Sequence, residues 1–202
     1  MIVTPLPSGP FSIVMADPPW TFNDRKNCDP RLCGFKYPPM STAEMCSIPV
    51  RDVCTEPAAL FLWVTNQHGA EGHHIRVAAA WGFTLVTKAF CWVKTNRRAN
   101  PDSLKATQAA GGGLRSGCGH WTNSNTEDCW LGFNSRKRPH RLSKSVKQLI
   151  FAPVTIHSAK PPGVHARIEQ LLGPLPRIEL FARGAVPDGW AGWGNEYTGG
   201  TE

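Results

Sequence analysis

The chain has 202 residues, 41% of them hydrophobic and 18% charged, with a formal net charge of +7 and seven cysteines. That length fits one globular domain able to bury roughly 70% of its unfolded surface, so the core needs neither a disulfide nor a metal staple. The longest apolar run, Ala58 to Val64, falls far short of the ~20 residues that span a bilayer. The polar, proline-containing start excludes a signal h-region, and an odd cysteine count without one is expected of reduced thiols in a cytoplasmic protein.

The first strand is predicted at Phe11 to Ala16. Asp17-Pro18-Pro19-Trp20 follows it, and in open α/β sheets ligands bind beyond the C-terminal ends of the strands. These residue types suit an exocyclic amine on a flat base. The Asp17 carboxylate and the Pro18 carbonyl each accept one N–H, the prolines fix φ, and Trp20 offers a stacking face worth about 1–3 kcal/mol per base. On composition alone the alternative is an Asp-Pro turn with Trp20 packed in the core.

A polar loop with several prolines runs from Thr21 to Met40, then Ser41-Thr42-Ala43-Glu44 forms a capping box that opens a short helix. Strands are predicted at Ala58 to Val64, Thr84 to Lys94, Cys129 to Phe133, Leu149 to Pro153 and Ile178 to Ala182. A helix is predicted over Gly69 to Trp81 with Ile75, Ala78 and Ala79 on one face, and another over Pro162 to Leu172, stopped by Gly173-Pro174. Alternating strands and helices are the signature of an α/β layer fold in a single domain, residues 1–202. The loop from Asn96 to Cys118 exceeds the ~12–15 residues of ordinary connections, so it and 21–40 are expected to act as lids.

Residues 129–168 contain no Asp or Glu yet hold Arg136, Lys137, Arg138, Arg141, Lys144, Lys147, Lys160 and Arg167. That asymmetry points to an acidic partner, nucleic acid ahead of a membrane, because no basic amphipathic helix accompanies it. Zinc is not expected, since no pair of close-spaced Cys/His knuckles repeats along the chain, and Gly111-Gly112-Gly113 lacks the Gly-Lys-Ser/Thr ending of a phosphate loop.

Five blocks in order carry a resemblance: Asp17 to Trp20; Tyr37-Pro38-Pro39-Met40-Ser41; Leu60 to Thr65 with Trp92 to Asn96; Gly119-His120-Trp121; and His157-Ser158-Ala159-Lys160-Pro161 continuing to Glu179 to Arg183 and Trp193 to Glu196. From Phe11 to Asn195 the chain resembles the MT-A-seventy family of S-adenosylmethionine-dependent N6-adenine methyltransferases, in its bacterial and phage form. The resemblance implies a Rossmann-like class I methyltransferase, a three-layer αβα sandwich with a mostly parallel sheet and permuted motif order. It places Asp17 to Trp20 at the target adenine, Asp17 also near the methionine amine of the cofactor, and Lys160 at its methionine end. Glu179 lies beside the cofactor, and Phe181, Arg183, Asn195 and Glu196 on its ribose or adenosine side. Glu179, inside an apolar run, also needs a polar ligand or a basic partner on physical grounds.

Tyr37 resembles a gate-loop residue over the substrate, and Lys94, Thr95 and Asn96 open a loop that serves the substrate, a second copy or a partner subunit. His120 is expected to be structural. Relatives often carry an acidic adenine-binding motif upstream of the tetrapeptide, whereas only sixteen residues precede Asp17. Together these readings predict an enzyme that methylates N6 of adenine in DNA, with Arg136, Lys137, Arg138, Arg141 and Lys144 on the substrate phosphates. RNA methylation and a non-catalytic nucleic-acid-binding scaffold are the alternatives.

Overall fold

The structure is a computed structural model that describes residues 5–21, 39–97, 113–115, 121–154 and 159–199. Tyr37, His120, His157 and most of the two predicted lids lie outside the described residues.

Strand β1 (Phe11–Ala16) is followed by helix α1 (Thr42–Cys46), a 3-10 turn (Val50–Val53), β2 (Cys54–Val64), α2 (Asn66–Ala70), α3 (His73–Ala80), β3 (Thr84–Thr95) and β4 (Thr126–Phe133). Then come β5 (Leu149–Pro153), α4 (Val164–Leu172), β6 (Arg177–Leu180), β7 (Arg183–Gly184), β8 (Trp190–Trp193) and β9 (Glu196–Tyr197). Seven strands form one sheet in the order β5-β3-β4-β2-β1-β6-β8, and β7 pairs with β9 separately. Only β4 runs against its neighbours β2 and β3; the other pairs in the sheet are parallel.

The two-residue period of β1 and β2 builds both cores, which is why these strands read as unbroken apolar runs. Val14, Ala16, Leu60 and Leu62 face α3, where Val77, Ala78 and Trp81 meet them. Ile13, Met15, Phe61 and Trp63 face α4 through Val164, Ile168 and Leu172. Most of these side chains are fully buried, and a large apolar side chain so placed stabilises the fold by about 1.5–3 kcal/mol. The result is a three-layer sandwich. Among the described residues no helix is long and apolar enough to cross a membrane.

The capping box of α1 is present. The Ser41 amide donates to Glu44 Oε2 at 2.7 Å and the Glu44 amide to Ser41 Oγ at 3.2 Å. The predicted helix over Gly69 to Trp81 is instead two helices, broken at Glu71-Gly72 where Gly72 takes φ 73°. Within α3 the buried face is His74, Val77 and Ala78, one residue round from the predicted one, and Ile75 is 57% exposed. Strands β7, β8 and β9 are additions to the predicted set. Their few residues include Gly192 and offer too short an apolar pattern to be read as strands.

Candidate active site

The parallel strands end on one edge of the sheet, and the tetrapeptide extends β1 there. The Asp17 amide donates to Leu180 O on β6 at 3.4 Å, and all four residues of the tetrapeptide are buried. Pro18 and Pro19 leave the ladder as expected. The Pro18 carbonyl accepts the Trp20 amide at 2.9 Å and the Pro19 carbonyl accepts the Met40 amide at 2.9 Å. A carbonyl has two lone pairs, so the Pro18 oxygen keeps a second acceptor position, but Pro18 is buried and is not among the residues that line the adjoining cavity.

A cavity of about 400 Å³ opens beside this turn. Asp17, Pro19, Phe181, Arg183, Asn195 and Glu196 line it together with Leu6, Met40, Ile48 and Trp193, so residues far apart in sequence meet at one place. Phe181 reaches it through a backbone φ of 61°, rare for a bulky residue and costing on the order of 1–3 kcal/mol. This turn lets its ring meet Trp193 edge-on, centroids 5.7 Å apart. Gly194 makes the turn feasible, because a Cβ there would stand 2.9 Å from Phe181 Cα.

A chain of charges runs from the cavity wall inward, with the side chains of Asp17, Glu127 and Lys160 buried and Lys94 and Arg183 half-buried. Lys160 Nζ sits 2.8 Å from Asp17 Oδ1 and 2.5 Å from Glu127 Oε1, Lys94 Nζ is 3.0 Å from Glu127 Oε2, and Arg183 Nη2 is 3.6 Å from Asp17 Oδ2. Burial works against the Lys160 ammonium, but its two carboxylates outweigh that and raise its pKa, keeping it charged. Burial likewise pushes the Glu127 carboxyl up, yet Lys160 and Lys94 more than offset it and hold the group at about 2. Asp17 is raised by burial and by repulsion from Glu127, against the pull of Lys160 and Arg183. A first proton entering the cluster therefore goes to Asp17.

Several predicted roles change. Lys160 contacts Asp17 but does not line the cavity, and its ammonium is shared between two carboxylates. Glu179 points to the α4 face and meets His165 Nε2 at 2.6 Å, so its burial is answered by a basic partner and it too is absent from the cavity wall. Trp20 is 4% exposed, donates Nε1–H to Trp63 O at 3.2 Å and stacks on His68 at 5.4 Å, so it anchors the turn and offers no open stacking face. Burial pushes the His68 pKa down; the neutral ring accepts from Thr65 Oγ1 and donates to Thr21 O at 2.9 Å. Lys94 is engaged by Glu127, and the exposed Asn96 donates to Leu114 O at 3.2 Å, closing the base of the long loop.

The predicted phosphate contacts lie elsewhere. Because β4 is reversed, Asp128 pairs with Val64 at the site edge while Phe133 pairs with Ala59. Five residue steps of ~3.4 Å put the start of the basic segment about 17 Å from that edge. Arg136, Lys137, Arg138, Arg141 and Lys144 follow Phe133, so this segment begins at the opposite edge of the sheet from Asp17 and its side chains do not line the cavity.

Glu127 is the principal residue the sequence reading omits. Its signal is the alternation with Cys129: extending the predicted strand by two residues puts both on one buried face.

A mostly parallel sheet between helical layers, with its cavity beyond the strand ends, defines a Rossmann-like α/β protein. Residues 11–196 match the MT-A70 family model, and the chain belongs to that family of S-adenosylmethionine-dependent N6-adenine methyltransferases. It is 29% identical to the Type II methyltransferase M.MunI of Mycoplasma sp, over 95% of this chain and 79% of that protein. It is 30% identical to the N(6)-adenosine-methyltransferase MT-A70-like of Arabidopsis thaliana and 29% identical to the N(6)-adenosine-methyltransferase catalytic subunit METTL3 of Homo sapiens. In both cases the match covers 95% of this chain, and it spans 24% of the plant protein and 29% of the human one.

Proposed function

We propose that the protein is a site-specific DNA methyltransferase that methylates N6 of adenine with S-adenosylmethionine as methyl donor. The observation that carries this reading is the juxtaposition in one cavity of the Asp17 carboxylate with Phe181, Arg183, Asn195 and Glu196. Their chemistry fits the cofactor: an aromatic ring for its adenine, amide and carboxylate groups for ribose hydroxyls, and a carboxylate for its ammonium. When bound, S-adenosylmethionine supplies an electrophilic methyl whose departure leaves a neutral thioether.

The protein's own part is orientation. Asp17 and the free lone pair of the Pro18 carbonyl accept the two N–H bonds of N6, which directs the nitrogen lone pair towards the methyl carbon. Holding the reactants in line supplies much of the rate. As the N–C bond forms, the surplus N6 proton leaves to Asp17 or to water. Lys160 and Arg183 pull the Asp17 pKa down and so favour the ionised acceptor, in part offsetting the larger upward push of burial. In duplex DNA the target base leaves the stack to reach a recessed cavity of this kind.

The choice of DNA follows the Type II relative, whose length this chain largely spans. The test is transfer of labelled methyl to single-stranded DNA, duplex DNA and RNA by the wild type and Asp17→Ala. The expected product is N6-methyladenine in DNA, with turnover at least ~100-fold lower in the variant, the scale for losing one key polar group. Transfer confined to RNA would replace DNA as the substrate. Cofactor binding without transfer to any nucleic acid would overturn the catalytic reading.

A further inference from the structure

We infer that residues 134–148 form a second nucleic-acid contact, a phosphodiester-binding face remote from the cavity. This rests on the nucleic-acid substrate proposed above.

The segment holds Arg136, Lys137, Arg138, Arg141, Lys144 and Lys147, together with His140, and no acid. All seven side chains are exposed. Elsewhere several cations find carboxylates: Lys88 meets Asp128, Arg177 meets Glu169, and Lys94 and Lys160 meet Glu127. Among the described residues none of the six cations of this segment makes an ion pair, and Arg138 instead lies over the Phe133 ring at 5.0 Å. Glu56, next to Thr55 where the segment starts, is an exposed acid on the same edge and is one charge against six.

The segment has a fixed course despite lacking regular structure. Asn134 bridges Ala58 N and Thr55 O at 2.8 and 2.7 Å. The Leu142 amide donates to Leu171 O on α4, Arg167 to Lys147 O, and Gln148 to Lys88 O. Mutual repulsion among six cations held in place works against the fold, and a polyanion relieves it. The backbone of a nucleic acid, with one charge per ~1.7 Å of duplex, matches such a row better than a small anion does.

Its position decides its role. The segment starts about 17 Å below the catalytic edge and rises to Leu149 on β5. Leu149 is level with Cys91 and Asp128 but four strand spacings of ~4.8 Å, about 19 Å, to the side of β1. Either end is thus at least ~5 base pairs of ~3.4 Å from Asp17. The segment therefore grips backbone well away from the target adenine and adds affinity without touching the reacting base.

The test measures the affinity of a 30-base-pair DNA and of a heptanucleotide by fluorescence anisotropy across salt concentrations. The chain is compared with Arg136→Gln/Lys137→Gln/Arg141→Gln/Lys144→Gln, which spares the stacked Arg138; unchanged cofactor affinity verifies its fold. The expected result is a salt slope shallower by up to about 3–4 on the long DNA, near 0.9 per lost contact. The advantage of the long DNA over the heptanucleotide collapses in the variant. The charge-preserving variant Arg136→Lys/Arg141→Lys keeps the wild-type slope. An unchanged slope would overturn the inference, and so would an equal loss on the heptanucleotide, which would put these cations beside the target base. Labelled polyglutamate binding as tightly as DNA would overturn it in favour of an acidic polypeptide. A 30-nucleotide RNA arm separates the two sources of phosphodiester. The binding readout does not depend on methyl transfer, so failure of the catalytic proposal is seen separately.

Discussion

Asp17 and Glu127 share Lys160 on unequal terms: Glu127 has a second lysine and Asp17 has a more distant arginine. Replacing Glu127 by Gln removes the repulsion that raises Asp17, so the Asp17 pKa falls. If ionised Asp17 is the acceptor, the acid limb of the pH–rate profile moves to lower pH in Glu127→Gln. An unmoved limb would mean the limb belongs to another group. The same variant has a stability signature. Glu127 falls from an ordinary 4.5 to about 2 on folding, so its contribution is fully present above about pH 4.5 and is lost as pH drops towards 2. That loss is on the order of 3 kcal/mol. Asp17, whose pKa is raised in the wild type and lowered in Glu127→Gln, acts in the opposite sense, so the comparison is made in an Asp17→Asn background. There the chain with Glu127 should weaken more than the one with Glu127→Gln between pH 7 and pH 3 in denaturant titrations. Asp17 was legible from its neighbours in sequence. Glu127 was not, because its importance comes from a cross-sheet meeting with Lys160 that no local pattern encodes.

The elements tell a similar story. Strands β1 and β5 have the bounds their apolar runs predict, although only β1 is buried on both faces; β5, at the edge of the sheet, leaves Leu149 and Phe151 about half exposed. Helix α3 is rotated from the predicted face because the side chains that pack are His74, Val77, Ala78 and Trp81, at i, i+3, i+4 and i+7. The β8–β9 turn was read as a motif, and the structure shows its physical need: Gly194 lets two backbones close to a distance that a side chain forbids. A Gly194→Ala substitution must push apart Phe181 and Asn195, both on the cavity wall. Cofactor at 100 times its Kd should stabilise the wild type by about 2.7 kcal/mol, or roughly 5–10 °C at this size. A tenfold weaker Kd in Gly194→Ala would trim that upshift at the same concentration by about 1.4 kcal/mol, or roughly 3–5 °C. Thermal scans with and without cofactor measure the difference; an unaltered upshift would show that the cavity wall accommodates the extra methyl.

At the scale of the whole molecule, strand direction decides what each segment can do. The basic segment was plain in the sequence, but its distance from Asp17 follows from the reversal of β4, which pairs non-locally with β2 and β3 and so leaves no local trace. The placement of β1 has its own consequence. It is hydrogen-bonded on both sides, to β2 and β6, and Ile13 to Ala16 are at most 1% exposed. Backbone amides in such a strand exchange with solvent deuterium only when the entire domain opens. Protection of Val14, Met15 and Ala16 should therefore equal the global unfolding free energy from denaturant titration; lower protection would reveal a local opening. On the proposed function, turnover runs on a carboxylate whose mooring lasts as long as the native state itself, and any motion that admits the base must come from other parts of the chain.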